Sequence, residues 1–136
     1  MSGGRNHKVL VAAANARIET LSIEQAMAEH GKSDVVFVDI REARELEREG
    51  MIEGAIHAPR GMVEFWIDPK SPYYRNVFSP DKRFLFYCGG GWRSALTTAA
   101  VVEMGLLPDV AHIAGGFSGW KKAGGKIQAK PTSKKG

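Results

Sequence analysis

The sequence predicts an α/β protein with a mainly parallel central sheet flanked by helices. Three observations lead there. Short runs of apolar, β-branched or aromatic residues alternate with segments of helical pattern. The runs are apolar on both faces, as in strands covered by helices on either side. The clearest run, "FLFYC", leads through glycines straight into the clearest helix, "RSALTTAAVVEMG".

Taken in order, "RNHKVLVAAANA" opens the chain with basic residues and an apolar run. Ala14-Asn15-Ala16 imitates a signal-cleavage site, but the apolar run is shorter than a secretory signal needs, so an amphipathic helix is expected. Ser22 and Gln25 have capping-box spacing, and the helix they open runs to Gly31, a residue that tolerates positive φ. "DVVFVDI" reads as a buried strand and "REARELEREG" as a charged helical segment. "GAIHAP" is a second short strand, closed by proline. "RGMVEFW" suits a helical turn or two, and "IDPKSPYYRNVFSPDKR", with three prolines, is the long loop. After "FLFYC" and its helix, which ends at Gly105, "DVAHIA" is a last short strand before "GGFSGWKKAGG".

The chain has 136 residues, 43% hydrophobic and 25% charged, which suits one domain with a proper core and suggests neither a membrane span nor a wholly disordered chain. Its net charge of +4 is unevenly placed, because residues 1–120 carry 13 basic and 15 acidic side chains and the six lysines from Lys121 onward face no acid. The basic end is expected to be a disordered, solvated tail rather than a nucleic-acid site. With one cysteine there is no intramolecular disulfide, so an oxidising compartment is not implied and a cytoplasmic protein is expected.

That cysteine carries the functional reading. In α/β sheets ligands gather beyond the carboxyl ends of the strands, and Cys88, Asp39 and the Pro59-Arg60 pair all lie there. Gly89, Gly90 and Gly91 allow backbone amides to turn inward as an anion-binding nest, and the positive end of the next helix adds to the same point. A thiolate is favoured in such a place, which makes Cys88 a nucleophile. Arg93 at a helix start opposes the dipole unless an anion is present, so it asks for a negative ligand. Ser94 reads as a helix cap that can also donate to Cys88 or to that ligand.

The plainer readings stand beside these. A lone cysteine is often an inert core residue, three glycines can be a loose turn, and Trp92 suits packing or a pocket rim. The glycines form neither a Walker loop nor a dinucleotide fingerprint. Gly116-Phe117-Ser118-Gly119 misses the nucleophile elbow by one residue. The four histidines, at 7, 30, 57 and 112, have no paired ligand spacing, so no metal is expected. His57 is either a satisfied structural histidine or a border of the site.

The segments "VDIREARELEREGMIEGAIHAPRG", "CGGGWRSA" and "IAGGFSGW" resemble the rhodanese-like sulfurtransferases in their single-domain form. The resemblance spans roughly residues 18–125, leaving 1–17 as a helical extension and 126–136 as the basic tail. It implies a rhodanese-like fold with a sheet of about five strands and a sulfur relay. Cys88 would take a sulfane sulfur from thiosulfate as a persulfide and pass it to cyanide or a thiol, without a cofactor. Arg93 would bind the anionic donor, with the amides of Gly89 to Ser94 around the sulfur and Trp92 at the rim. Arg60 is an outside candidate for the sulfonate end. Asp39 and Arg41 would brace the loop, with Arg41 also a candidate for direct substrate contact. Met51 stands where the family commonly has histidine.

Two rivals follow. One is a non-catalytic or persulfide-carrier module serving a protein partner, and the other is a cysteine phosphatase or arsenate reductase. Phosphatases place one more residue between cysteine and arginine than the four found here, which makes a larger ring. Neither a nucleic acid nor a membrane is expected as partner, and the chain would be a monomer or homodimer.

Overall fold

The computed structural model describes residues 4–132. Its centre is a five-stranded sheet whose neighbouring strands are all parallel, in the order β1 (Glu19–Leu21), β6 (Val110–Ile113), β5 (Arg83–Tyr87), β2 (Val35–Asp39), β4 (Ile56–His57). A separate antiparallel pair joins β3 (Met51–Ile52) to β7 (Ile127–Gln128). The helices are α1 (His7–Asn15), α2 (Ile23–Glu29), α3 (Ala43–Glu49), α4 (Val63–Ile67), α5 (Trp92–Met104) and α6 (Gly116–Lys122), with a 3-10 turn at Arg60–Met62 before α4.

Alternation along each strand divides the core into two layers. Phe37, Leu85, Tyr87 and Ile113 turn to one face, where Leu46, Phe117 and Trp120 meet them. Val38, Phe84, Phe86 and Cys88 turn to the other, against Val63, Phe78 and Val101. A side chain one position either way along β5 would point to the wrong layer, so the strand itself aims Cys88 at the face covered by α5.

Local signals in the sequence account for the helix ends. Ser22 Oγ accepts from the Gln25 amide at 3.1 Å, and the Gln25 side chain accepts from the Ser22 amide at 2.9 Å, an arrangement worth about 1 kcal/mol. Asn6 caps α1 by accepting from the Val9 amide, and Gly105 ends α5 with φ of 70°. Helix α1 packs on α5, with Ala14 buried against Ala95 and Ala99.

The expected disordered tail over 126–136 is corrected at its start. Ile127 and Gln128 pair with Ile52 and Met51, the Gln128 side chain accepts from the Gly54 amide at 2.9 Å, and the Lys126 carbonyl accepts from the Trp120 indole at 2.9 Å. Lysine-rich composition hid a strand that exists only through its distant partner; residues 133–136 lie outside those described.

Candidate active site

Cys88 follows β5 directly, and α5 begins at Trp92. The loop between them closes on the sulfur: the Gly91 amide donates to Sγ at 3.1 Å and the Ser94 amide at 3.4 Å, while the Ser94 hydroxyl lies 3.6 Å away. Amides converging on one sulfur favour negative charge there. A cleft of about 290 Å³, lined by Cys88, Gly90, Trp92 and Arg93, opens onto it.

The glycine run is more specific than the sequence suggested. Gly91 alone of the three has positive φ, at 112°, and a Cβ there would strike the Ala114 carbonyl; Gly89 and Gly90 have ordinary backbone angles. The loop is then clamped from behind by α6. Phe117 and Ser118 amides donate to the Cys88 and Gly89 carbonyls at 2.8 and 3.1 Å. Gly116, at φ 60°, makes this approach because a Cβ would lie 2.5 Å from the Gly89 oxygen. The "GGFSGW" segment therefore supports the loop from beneath.

Ser94 is corrected from its expected capping role. Gly91 is the N-cap of α5 and Ser94 lies inside the first turn, buried, with its hydroxyl 3.3 Å from the Gly91 carbonyl and 3.0 Å from His112 Nδ1. Arg93 does not wait for an external anion: its guanidinium lies on the carboxylate of Glu45 in α3, at 2.8 and 3.0 Å. That hydrogen-bonded pair holds the Glu45 carboxyl down at about 2 and raises Arg93.

Asp39 and Arg41 form a support beneath the site. Arg41 is wholly buried; its Nε and Nη2 donate to Asp39, Nη1 donates to Glu49 at 3.0 Å, and Nη2 donates to the Gly50 carbonyl at 2.7 Å. The guanidinium stacks 4.3 Å from the ring centre of Phe117, the residue whose amide holds the Cys88 carbonyl. Such burial removes Arg41 as a substrate contact and corrects that expectation. His57 Nε2 lies 2.7 Å from the Arg41 carbonyl and belongs to the same support. Arg60 pairs with Glu64 at 2.8 Å and does not line the Cys88 cleft.

Trp92 is 58% exposed, rims the cleft and lies with its ring centre 5.0 Å from that of His7. Among the described residues no group of histidine, cysteine or carboxylate side chains could hold a metal ion, and no helix is long and apolar enough to cross a membrane. The sequence reading gave Glu45 no role and weighed His112 only as a metal ligand, not as a partner of Ser94. For His112 a signal existed, because an imidazole in the otherwise apolar "VAHI" strand must find polar partners once buried.

Comparison with known proteins covers most of the chain. Residues 22–123 match the model of the rhodanese-like domain. No curated protein matches. A solved structure from Rhodopseudomonas palustris, of a protein of unknown function described as a possible tyrosine phosphatase, is 52% identical, covering 94% of this chain and 98% of its own at a TM-score of 0.88. A rhodanese-related protein from Thermoplasma volcanium is 21% identical, over 82% of this chain and 99% of its own, at a TM-score of 0.66. A thiosulfate sulfurtransferase from Pseudomonas aeruginosa is 23% identical, with 93% of this chain aligned to 23% of that one, at a TM-score of 0.66. The last two share the fold.

Proposed function

Because this chain belongs to the family of rhodanese-like domains, we propose that it is a sulfurtransferase in which Cys88 carries the sulfur. The observation that carries the reading is the convergence of the Gly91 and Ser94 amides on Cys88 Sγ at the floor of an open cleft. In the first half-reaction the thiolate attacks the sulfane sulfur of thiosulfate. The sulfur–sulfur bond of the donor breaks, sulfite leaves with the electron pair, and a Cys88 persulfide anion remains. In the second, cyanide or a thiolate attacks the outer sulfur and returns the electron pair to Cys88 as thiolate.

The loop suits this chemistry physically. Its amides offer fixed donors to negative sulfur without reorganisation, an ionised thiol needs no general base during attack, and Arg93 at the cleft wall supplies positive charge for an anionic donor. Two half-reactions through one covalent intermediate imply ping-pong kinetics.

A second reading takes support from the Rhodopseudomonas relative described as a possible tyrosine phosphatase. Hydrolysis of a phosphate ester would also use a cysteine nucleophile in an amide-lined loop before a helix. The loop here leaves four residues between Cys88 and Arg93, a ring better matched to one sulfur atom than to a tetrahedral oxyanion.

The deciding experiment is intact mass after incubation with thiosulfate and then with cyanide. A gain of about one sulfur atom on Cys88 that is lost to cyanide as thiocyanate, and that is absent in Cys88→Ser, is the expected result. No gain with thiosulfate or other sulfane donors, together with turnover of an aryl phosphate, would transfer the assignment to the phosphatase reading.

A further inference from the structure

His112 stands within β6, 2% exposed, flanked by Ala111 and Ile113. Both its ring nitrogens are engaged: Nδ1 lies 3.0 Å from Ser94 Oγ and Nε2 lies 3.1 Å from Asn15 Oδ1. A neutral imidazole has one donor and one acceptor nitrogen. The Asn15 carboxamide oxygen only accepts, so it takes the Nε2 hydrogen and leaves Nδ1 as the acceptor. The Ser94 hydroxyl has two acceptors within reach, the Gly91 carbonyl at 3.3 Å and Nδ1 at 3.0 Å; with its one proton given to the nearer Nδ1, its oxygen accepts in turn from the Cys88 thiol at 3.6 Å. Four side chains thus form one directed chain of hydrogen bonds from the cleft to α1.

We propose that His112 is a positioning residue that draws the thiol proton of Cys88 through Ser94, with Asn15 holding the ring in the tautomer able to accept it. The inference rests on Cys88 being the nucleophile. In the step, the Cys88 S–H bond breaks and its electron pair stays on sulfur. The proton passes to Ser94 Oγ while the hydroxyl proton moves to His112 Nδ1. A thiolate and an imidazolium result, and the imidazolium donates to Ser94 Oγ and Asn15 Oδ1.

Charge meets this chain at its Cys88 end, through Arg93, and not at His112. Around His112, α1 presents Asn15, β1 presents Thr20 and α5 presents Ser94, none of them ionisable. Cys88, at the end of β5, is the titratable group reached through Ser94, and the Arg93 guanidinium of α5, paired with Glu45, also interacts electrostatically with Cys88. Burial lowers the pKa of His112 below the ordinary histidine value, so the resting ring is neutral near pH 7 and its Nδ1 lone pair is available. Asn15 precedes the segment, residues 22–123, that matches the family model, so α1 adds a residue of its own to the site.

The test is the rate of alkylation of Cys88 by iodoacetamide as a function of pH, on the full chain, where Cys88 is the single thiol. His112→Asn keeps an amide oxygen for Ser94 but cannot take up a proton, and its pH midpoint is expected to rise by about one unit, roughly a tenfold loss of rate below the midpoint. Asn15→Asp places a carboxylate on Nε2, stabilises the imidazolium and is expected to lower the midpoint. Opposite shifts are the signature, since without the relay the added carboxylate would only repel the thiolate and raise the midpoint.

Midpoints of both variants that superimpose on the wild type, with folding confirmed by circular dichroism, overturn the proposal, as does an upward shift in Asn15→Asp. If His112→Asn does not fold, the exposed Asn15 position decides alone. Alkylation uses no sulfur donor, so a protein that fails to transfer sulfur still gives a readable result here. Unchanged midpoints in a protein that does transfer sulfur remove the relay and leave the sulfurtransferase reading intact.

Discussion

The Arg93 guanidinium lies flat against the Glu45 carboxylate through two hydrogen bonds, Nη1 to Oε1 at 2.8 Å and Nη2 to Oε2 at 3.0 Å. This joins the helix after Cys88 to the helix after Asp39 and sets one negative charge beside the arginine of the cleft. Glu45→Gln keeps an acceptor and removes that charge. Its KM for thiosulfate is expected to fall about three- to tenfold, at a stability cost under about 1 kcal/mol because the pair is partly exposed. Arg93→Ala should raise that KM and slow persulfide formation while sparing the reaction with cyanide, from which the donor anion is absent. Single-turnover kinetics of the two half-reactions separate these outcomes, and an unchanged KM in both variants would mean that Arg93 does not meet the donor.

The two neighbouring glycines should respond oppositely to alanine. At Gly90 the backbone is ordinary and a methyl group meets nothing within 4 Å, so Gly90→Ala should fold normally and retain most sulfur transfer. At Gly91 positive φ and the Ala114 carbonyl both oppose a Cβ, so Gly91→Ala is expected to cost about 2 kcal/mol or more and to abolish activity. Thermal melts with thiocyanate assays on both variants provide the check; equal tolerance would show that the loop is not fixed by Gly91.

Arg41 should be the costliest of the charged residues to lose. Its truncation to alanine leaves Asp39 buried without its cation, for which about 3 to 5 kcal/mol is the usual penalty. Arg41→Lys should rescue little, because an ammonium cannot reproduce the fork that reaches Asp39, Glu49 and Gly50 together. Urea denaturation measures both, and a loss below about 1 kcal/mol would contradict the buried pair as the support of the loop.

Acid should destabilise the fold in two stages. Below about 6.5 the unfolded chain protonates its histidine while buried His112, its pKa lowered by desolvation, resists; the stability it contributes is therefore full above that pH and is lost as pH falls. Glu45 acts lower down: with its carboxyl brought from 4.5 to about 2, its contribution is full above 4.5 and is lost between those values. Urea midpoints measured from pH 7 to pH 3 should fall throughout, and His112→Asn should flatten the upper part of the curve. A midpoint that rises on acidification would refute the signs.

Local chemistry explains what could be read from the sequence. Strands such as "FLFYC", the capping box at Ser22, the glycine stop at Gly105 and the cysteine loop are all written within a few consecutive residues. What escaped was long-range pairing. Glu45 is separated from Arg93 by 48 positions and Asn15 from His112 by 97, and no periodicity marks such partners. Ile127 and Gln128 look like part of a solvated tail until Met51 and Ile52 are beside them. Arg41 was visible as a charged residue past a strand, but only packing reveals that Phe117 covers it.

Strand β1 runs from Glu19 to Leu21 and occupies one border of the sheet, paired to β6. It lies just ahead of the segment recognised as the family domain, so a fragment trimmed to residues 22–123 would lose it together with α1. Val110 to Ile113 would then become a bare margin with unpaired amides and carbonyls, and Ala95 and Ala99 would lose their cover. Exposed strand margins recruit other chains. Such a fragment is expected to self-associate, visible as early elution in size-exclusion chromatography, so the boundary of a recognisable family is here narrower than the boundary of the sheet.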